Sequence, residues 1–321
     1  MIQPPLVSII VPTFNSGSYL NRCLSSIEKQ SYTTVEVVIV DAGSRDNTLD
    51  IINQYQSKLN IQYFVLEKST QSEARNLGLQ NTKGDYIAFC DSDDFYLPDK
   101  IKKQMETMND HSIDVCYFDV LHFYSGLEND LFINQHPNNP DMLAECIANQ
   151  TINLNSVLIR KKFLDKNNLF FPTGEMGRYG EDGNFIFHLA LHQAKFKKLE
   201  DNLSVVEVRK DSHTQWEAQW KMKHYAIQYR INAKEKLNSH YQELIDQSIK
   251  SLRFKLIIAL IIAGKHKEAK FEFKTFLHQD HLAWIADAVF FLLNLVPKKL
   301  TQWILTTLWN RRRIKNSHIY L

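Results

Sequence analysis

Five apolar residues, Tyr86 to Cys90, run directly into Asp91-Ser92-Asp93-Asp94. The run is short, carries aromatic and β-branched residues, and follows a Lys83-Gly84 turn signal. It therefore reads as a strand buried on both faces of a parallel sheet. Three carboxylates at the end of such a strand are costly to desolvate unless something positive meets them. In open α/β sheets that end of the strand is also where ligands bind. Two readings stand at this point. Hard oxygen donors suit a divalent cation, Mg²⁺ or Mn²⁺, bridging to phosphates. Alternatively, Asp93 or Asp94 caps a helix running from Asp99 to Met108.

The preceding residues alternate strand and helix. Leu6 to Val11 is a continuous apolar strand followed by a turn-rich loop, Pro12 to Gly17. A helix is expected from Ser18, with Tyr19, Leu20, Cys23, Leu24 and Ile27 on one face. Val35 to Val40 is a second buried strand that ends at Asp41. The helix Thr48 to Tyr55 is expected to bury Leu49, Ile51, Ile52 and Tyr55. Ile61 to Leu66 is a third strand, and Ser72 is expected to cap a helix carrying Arg75 and Asn76. Tyr86 to Cys90 is the fourth strand. Four alternations in under a hundred residues imply parallel βαβ units with right-handed crossovers, an α/β fold.

Further along, Ile113 to Val120 alternates in part, Gly126 to Asn139 is polar and reads as a surface loop, and Ser156 to Arg160 is another short strand. Glu181-Asp182 opens a helix with Phe185, Ile186, Leu189 and Ala190 on its apolar face, and Leu203 to Val208 is the last strand. From Gln215 only helical patterns follow. The expected organisation is an α/β domain over residues 1–214 and a helical region over 215–321.

Composition bounds the rest. At 321 residues, 44% hydrophobic and 23% charged, the chain has ample material for a core. The formal net charge of +2 is nearly neutral, and no nucleic-acid partner is expected. Cys23, Cys90, Cys116 and Cys146 lie far apart in apolar surroundings, as expected of buried thiols in a reducing compartment. Met-Ile-Gln-Pro-Pro leads straight into a strand without a basic leader, so a cytoplasmic location is expected.

Asp41 and Asp91 to Asp94 place acids on one sheet edge, where the Pro12 to Asn15 loop also opens. This is a nucleotide-binding layout without GxxxxGK[ST] or GxGxxG. A metal and basic side chains such as Arg75 would then have to hold phosphates.

Taken in order, Val7 to Asn15, Asp41-Ala42-Gly43-Ser44, Ala74-Arg75-Asn76-Leu77-Gly78, Lys83-Gly84-Asp85-Tyr86, Asp91-Ser92-Asp93-Asp94 and Glu181-Asp182 resemble the motifs of family 2 glycosyltransferases with the GT-A fold. The resemblance covers roughly residues 5–213. It implies that Pro12, Thr13, Asn15 and Asp41 hold the nucleoside. It implies that Arg75, Asp91 and Ser92 serve the diphosphate and ribose, with Asp93 and Asp91 on a divalent metal. Asp182 is the implied catalytic base, with Glu181 beside it. Ala42 departs from the family's usual second acid, which leaves the nucleotide open. Arg209, Lys210 and His213 resemble a segment that closes over the diphosphate. There the order of the basic residues differs from the family pattern, so phosphate binding by Arg209 or Lys210 stands beside a metal-ligand role for His213.

Such a site would deprotonate an acceptor hydroxyl as it attacks the anomeric carbon from behind, inverting the configuration in one step. The resemblance implies a UDP- or dTDP-sugar donor and a glycan or lipid-linked acceptor, in capsule, O-antigen or exopolysaccharide synthesis. The alternatives are a nucleotide-sugar hydrolase or nucleotidyltransferase, and a non-catalytic nucleotide-sugar-binding scaffold.

Phe254 to Ala263 is apolar but too short to span a bilayer, which takes about 20 residues. Leu282 to Val296, then Leu300, Trp303, Ile304, Leu308 and Trp309 with Arg311-Arg312-Arg313, form Trp-bearing helical patterns with a basic flank. These suit the anionic inner face of a cell membrane, or else packing against the catalytic domain or a second copy in a homo-oligomer.

Overall fold

The computed structural model describes residues 3–124, 131–148, 152–208 and 216–278. The chain divides into two compact units, Met1–Lys210 and Asp211–Leu321. In the first unit the alternation gives β1 (Val7–Thr13), α1 (Leu20–Glu28), β2 (Val35–Asp41), α2 (Thr48–Tyr55), β3 (Ile61–Val65), α3 (Gln71–Asn81) and β4 (Tyr86–Phe89). β1 lies between β2 and β4, and β3 flanks β2, all parallel. Thr13 stands opposite Asp41 and Ile10 opposite Phe89. The residues that leave β1, β2 and β4 therefore emerge on one edge.

Alternation of side chains explains why both faces of β1 are buried. Val7, Ile9 and Val11 join Leu20, Cys23, Leu24 and Ile27 of α1 and Ile51, Ile52 and Tyr55 of α2 in one cluster. Ile10 turns to the other face, towards α3. There a Cβ on Gly78 would come within 2.6 Å of Ile10 Cγ2, so only glycine lets α3 lie this close to the sheet.

The second half of the unit holds β5 (Phe95–Tyr96), α4 (Lys100–Met108), β6 (Val115–Phe118), β7 (Val120–Tyr124), β8 (Leu131–Asn134) and α5 (Met142–Ile147). A 3-10 turn (Leu154–Ser156), β9 (Leu158–Arg160), α6 (Lys161–Asn167), α7 (Glu181–Leu191), β10 (Phe196–Leu199) and β11 (Ser204–Val208) complete it. The main sheet has the order β10-β6-β9-β4-β1-β2-β3, and a smaller mixed sheet has the order β5-β11-β7-β8. β9 alone in the main sheet runs against its neighbours, with Leu158 opposite Ala88 and Arg160 opposite Tyr86. Its entry end, not its exit, therefore lies at the edge where β4 ends.

Four expectations need correction. Leu49 is 46% exposed, because the buried stripe of α2 is Thr48, Ile51, Ile52 and Tyr55, one helical face that Leu49 misses. Thr70, not Ser72, caps α3. Its hydroxyl accepts from Glu73 N at 3.2 Å while Glu73 Oε2 accepts from Thr70 N at 2.7 Å, a reciprocal capping box that leaves Ser72 buried inside the helix. Asp94 caps no helix, since β5 intervenes and α4 begins after Asp99. The polar stretch from Gly126 to Asn139 contains β8, which pairs with β7 and leaves Leu131 and Ile133 exposed.

The second unit contains α8 (Trp216–Lys234), α9 (Ser239–Ile262) and α10 (His266–His278). Asn238 caps α9 by accepting from Tyr241 N, and Ile245, Leu252, Leu256, Ile257 and Leu260 form its buried side. Among the described residues no helix is long and apolar enough to cross a membrane. The Trp-bearing patterns after Leu282 lie outside the described residues.

Candidate active site

The exit of β4 is a strap of acids with separate surroundings. Asp94 is buried, and both its carboxylate oxygens are used. Oδ1 accepts from Glu207 N at 2.9 Å, and Oδ2 accepts from the Asn155 amide. Burial, then the charges of Asp91 and Asp93, push its pKa well up. Asp91 is a quarter exposed and pairs through Oδ1 with Arg75 Nη2 at 2.8 Å. Asp93 is half-buried, and its carbonyl accepts from Arg22 Nη2 at 2.7 Å. Ser92 shares a hydrogen bond of 2.8 Å with Ser16, which ties the strap to the loop after β1.

Arg75 is the hub. Its side chain is 1% exposed, yet it reaches three carboxylates: Asp91, Asp182 Oδ1 at 2.8 Å and Glu181 Oε1 at 3.5 Å. Burial alone would lower its pKa, but Asp182, Asp91 and Glu181 together hold it above its ordinary value. In the other direction, desolvation raises Asp182 to about 7, with Arg75 opposing and Glu181 and Asp91 adding. The Asp182 carboxyl sits deep among protein atoms, although 41% of its side-chain surface still meets solvent. A carboxyl raised in this way, with room for a partner, suits general-base chemistry.

Asp182 follows Arg75 by 107 residues in the chain, and two devices bring them together. Phe185, three residues beyond Asp182 on α7, stacks on Phe171 at 4.0 Å, and both rings meet the edge or face of Phe89 on β4. Asn76, next to Arg75 on α3, donates to Phe171 O at 3.0 Å and accepts from Phe171 N at 2.8 Å. The Arg-Asn pair thus grips the acids with one residue and the backbone ahead of them with the other.

At the exit of β2, Asp41 is also buried but pairs with no cation among the described residues. Oδ1 accepts from Gly43 N at 3.1 Å, Ser44 N at 2.9 Å and Ser44 Oγ at 2.6 Å, and Oδ2 accepts from Tyr63 OH at 2.9 Å. Burial and then this bond push the Tyr63 phenol up to about 12. The turn needs Gly43, whose φ is +92°. Asn15, at φ 47°, accepts from Arg45 N and donates its own N–H to Ser44 Oγ, stitching the β1 and β2 loops together. Pro12 and Thr13 are buried, and Thr13 Oγ1 has no hydrogen-bond partner among the described residues, the kind of group a ligand satisfies. Arg209, Lys210 and His213 lie outside the described residues.

Residues 8–177, more than half of the chain, match the sequence model of glycosyl transferase family 2. The chain belongs to this family. It is 42% identical over 106 residues to an uncharacterized glycosyltransferase of Haemophilus influenzae, a stretch covering 32% of this chain and 42% of the relative. It is 27% identical over 241 residues to the poly(ribitol-phosphate) beta-N-acetylglucosaminyltransferase TarS of Staphylococcus aureus, covering 74% of this chain and 41% of that one. The crystal structure of S. aureus TarS 1-349 in complex with UDP superposes with a TM-score of 0.62 at 22% identity, covering 88% of each chain. The chain thus spans about two-fifths of the length of these curated relatives, and its first unit has their GT-A fold.

Within this candidate site, the acid strap fits a divalent ion by its chemistry. Among the described residues no group of three or more His, Cys, Asp or Glu is set to hold an ion alone. Asp91 and Asp93 offer two hard carboxylates, enough for Mg²⁺ or Mn²⁺ when phosphate oxygens and water complete the shell. Reading the sequence for acids after strands missed Asn155, Tyr63 and Phe171. Only the Asn153-Leu154-Asn155-Ser156 run ahead of β9 marked one of them, as a turn signal.

Proposed function

We propose that this family 2 chain is a metal-dependent inverting glycosyltransferase that moves a sugar from a UDP- or dTDP-sugar to a hydroxyl of a glycan or lipid-linked acceptor. The observation that carries the reading is the sharing of Arg75 between Asp91, on the nucleotide edge, and Asp182, at the start of α7. Two groups with distinct roles in one transfer stand on either side of a single guanidinium.

In this reading Asp182 accepts the proton of the acceptor hydroxyl as that oxygen attacks the anomeric carbon from the face opposite the leaving group. A single carboxylate there makes the displacement one-step and inverting. The Pro12 to Asn15 loop and the Asp41 turn hold the nucleoside, and Arg75, freed from part of its pairing, meets the negative charge that grows on the diphosphate. A divalent ion held by Asp91 and Asp93 would supply further charge neutralisation at that leaving group. A surface-polysaccharide pathway is supported by kinship with a poly(ribitol-phosphate) glycosyltransferase. Attachment to the inner membrane face rests on the Trp-bearing, basic residues 282–313, and contact with a second copy on the same segment.

The test is thermal unfolding with UDP, dTDP and GDP, each with and without Mn²⁺. Ligand near 100 times its Kd stabilises by about 2.7 kcal/mol, a rise of roughly 5 °C or more for a domain of this size. A Mn²⁺-dependent rise with UDP or dTDP supports the reading. Equal curves with every nucleotide, with and without Mn²⁺, overturn it.

A further inference from the structure

The strap Asp91-Ser92-Asp93-Asp94 is clamped from outside by one side chain that the transfer chemistry does not call for. Asn155 is 2% exposed and sits in the 3-10 turn at the entry of β9. Its Oδ1 accepts from Asp91 N at 2.9 Å, while its Nδ2 donates to Asp94 Oδ2. The amide orientation follows from its partners. A backbone N–H needs an acceptor, so the oxygen faces Asp91 and the NH₂ group faces the carboxylate.

The clamp is itself anchored. Asn155 N donates to Asn153 Oδ1 at 2.9 Å, an Asx turn that fixes the backbone. Below it, Gln104 Nε2 donates to Ser156 O at 2.7 Å, and the buried ammonium of Lys100 donates to Gln104 Oε1 at 2.9 Å. Asp94, held on one side by Asn155, is held on the other by Glu207 N of β11. The strap is also closed on itself by Asp94 N donating to Asp91 O at 2.9 Å. Asp91 and Asp93 are thus presented from a four-residue bend whose two ends are gripped by one amide.

We infer that Asn155 is a positioning residue for the donor side of the site, fixing the bend from which Asp91 and Asp93 face the nucleotide diphosphate and its ion. This role rests on the glycosyltransferase reading given above. It touches neither sugar nor phosphate, and acts through the two acids. A loosened bend weakens a ligand that needs both carboxylates in one geometry, and leaves α7, docked through the stacked rings of Phe171 and Phe185, in place.

The experiment compares the full chain with Asn155→Ala and Asn155→Asp. The second keeps an acceptor for Asp91 N but has no amide to donate to Asp94, and remains informative if the first folds poorly. UDP binding is titrated at fixed Mn²⁺ and Mn²⁺ binding at fixed UDP, alongside hydrogen exchange of peptides spanning residues 86–96. The expected result is a UDP Kd raised at least tenfold in both variants, a Mn²⁺ midpoint moved to higher concentration, and faster exchange confined to the strap. In a transfer assay the donor KM rises while the acceptor KM is unchanged. Unchanged Kd and Mn²⁺ midpoint in a folded variant overturn the role. So does a uniform loss of active protein with both KM values unchanged, which marks a purely structural residue. If the unaltered chain binds no nucleoside diphosphate with Mn²⁺, the glycosyltransferase reading falls, and this role with it. Wild-type binding beside unaltered variants sinks the role alone.

Discussion

Asp41 and Asp91 lie at one edge, at the exits of the parallel strands β2 and β4 on either side of β1, yet they are held in opposite ways. Asp41 takes four neutral hydrogen bonds, from Gly43, Ser44 twice and Tyr63. Asp91 takes a guanidinium that also serves Asp182 and Glu181. Neutral backbone donors shape a turn and stay with it. An ion pair at a partly open edge can exchange its anion for another, because a phosphate offers Arg75 the same forked geometry as a carboxylate. One acid builds the floor of the site, and the other belongs to a set of charges whose pairing can change during a reaction.

The contrast is most sharply tested at the exchangeable pole. Asp182→Asn removes the proposed proton acceptor but keeps the shape and a hydrogen bond to the site. Transfer is expected to fall roughly 10²–10⁴-fold, with UDP Kd unchanged by calorimetry. A comparable fall in UDP affinity would place Asp182 on the donor side and break the division drawn here.

The next effect is on pH. The carboxylate is the active form of a base, so transfer is expected to rise with pH through the Asp182 pKa, near 7. Arg75 favours the charged form, so Arg75→Gln moves this rising limb to higher pH, by about 1–3 units. The same change leaves three acids without their cation and lowers stability by about 3–5 kcal/mol. The pH–rate profile is therefore read per folded molecule, with Arg75→Lys as the charge-retaining control. A limb that stays in place in Arg75→Gln separates Arg75 from the base.

The smallest effect belongs to the neutral pole. Tyr63→Phe deletes one of the four bonds to Asp41, which costs about 0.5–1.5 kcal/mol of stability. Its effect on UDP affinity is expected to be small and independent of salt. A large, salt-sensitive loss would mean that Asp41 carries an exchangeable charge like Asp91.

The alternation that builds β1 to β4 was legible because each strand is buried on both faces and each helix shows a single apolar stripe. The acids at the strand exits were legible for the same reason, since a carboxylate after an apolar run is conspicuous. Asn155 was not. It precedes a strand instead of following one, and it reaches the active edge only because β9 runs against its neighbours, a property of sheet topology that three residues of sequence do not carry. The cap of α3 was misread because Ser72 and Thr70 are both plausible caps, and the choice falls to Glu73, three residues after Thr70. Asp94 was misread because a two-residue strand, β5, is below the length at which periodicity can be seen.

The clasp between Asn76 and Phe171, with the rings of Phe89, Phe171 and Phe185 behind it, has a consequence for how variable this kind of site can be. Asp182, the proposed base, arrives on α7, which is tied to α3 and β4 through residues within 76–89 and 171–185 and also packs against α5. Between Val120 and Leu169, α5 packs against α7, whereas β7 and β8 belong to the smaller sheet. Those two strands can lengthen, shorten or be rewritten to suit another acceptor while Asp182, the proposed proton acceptor, keeps its place.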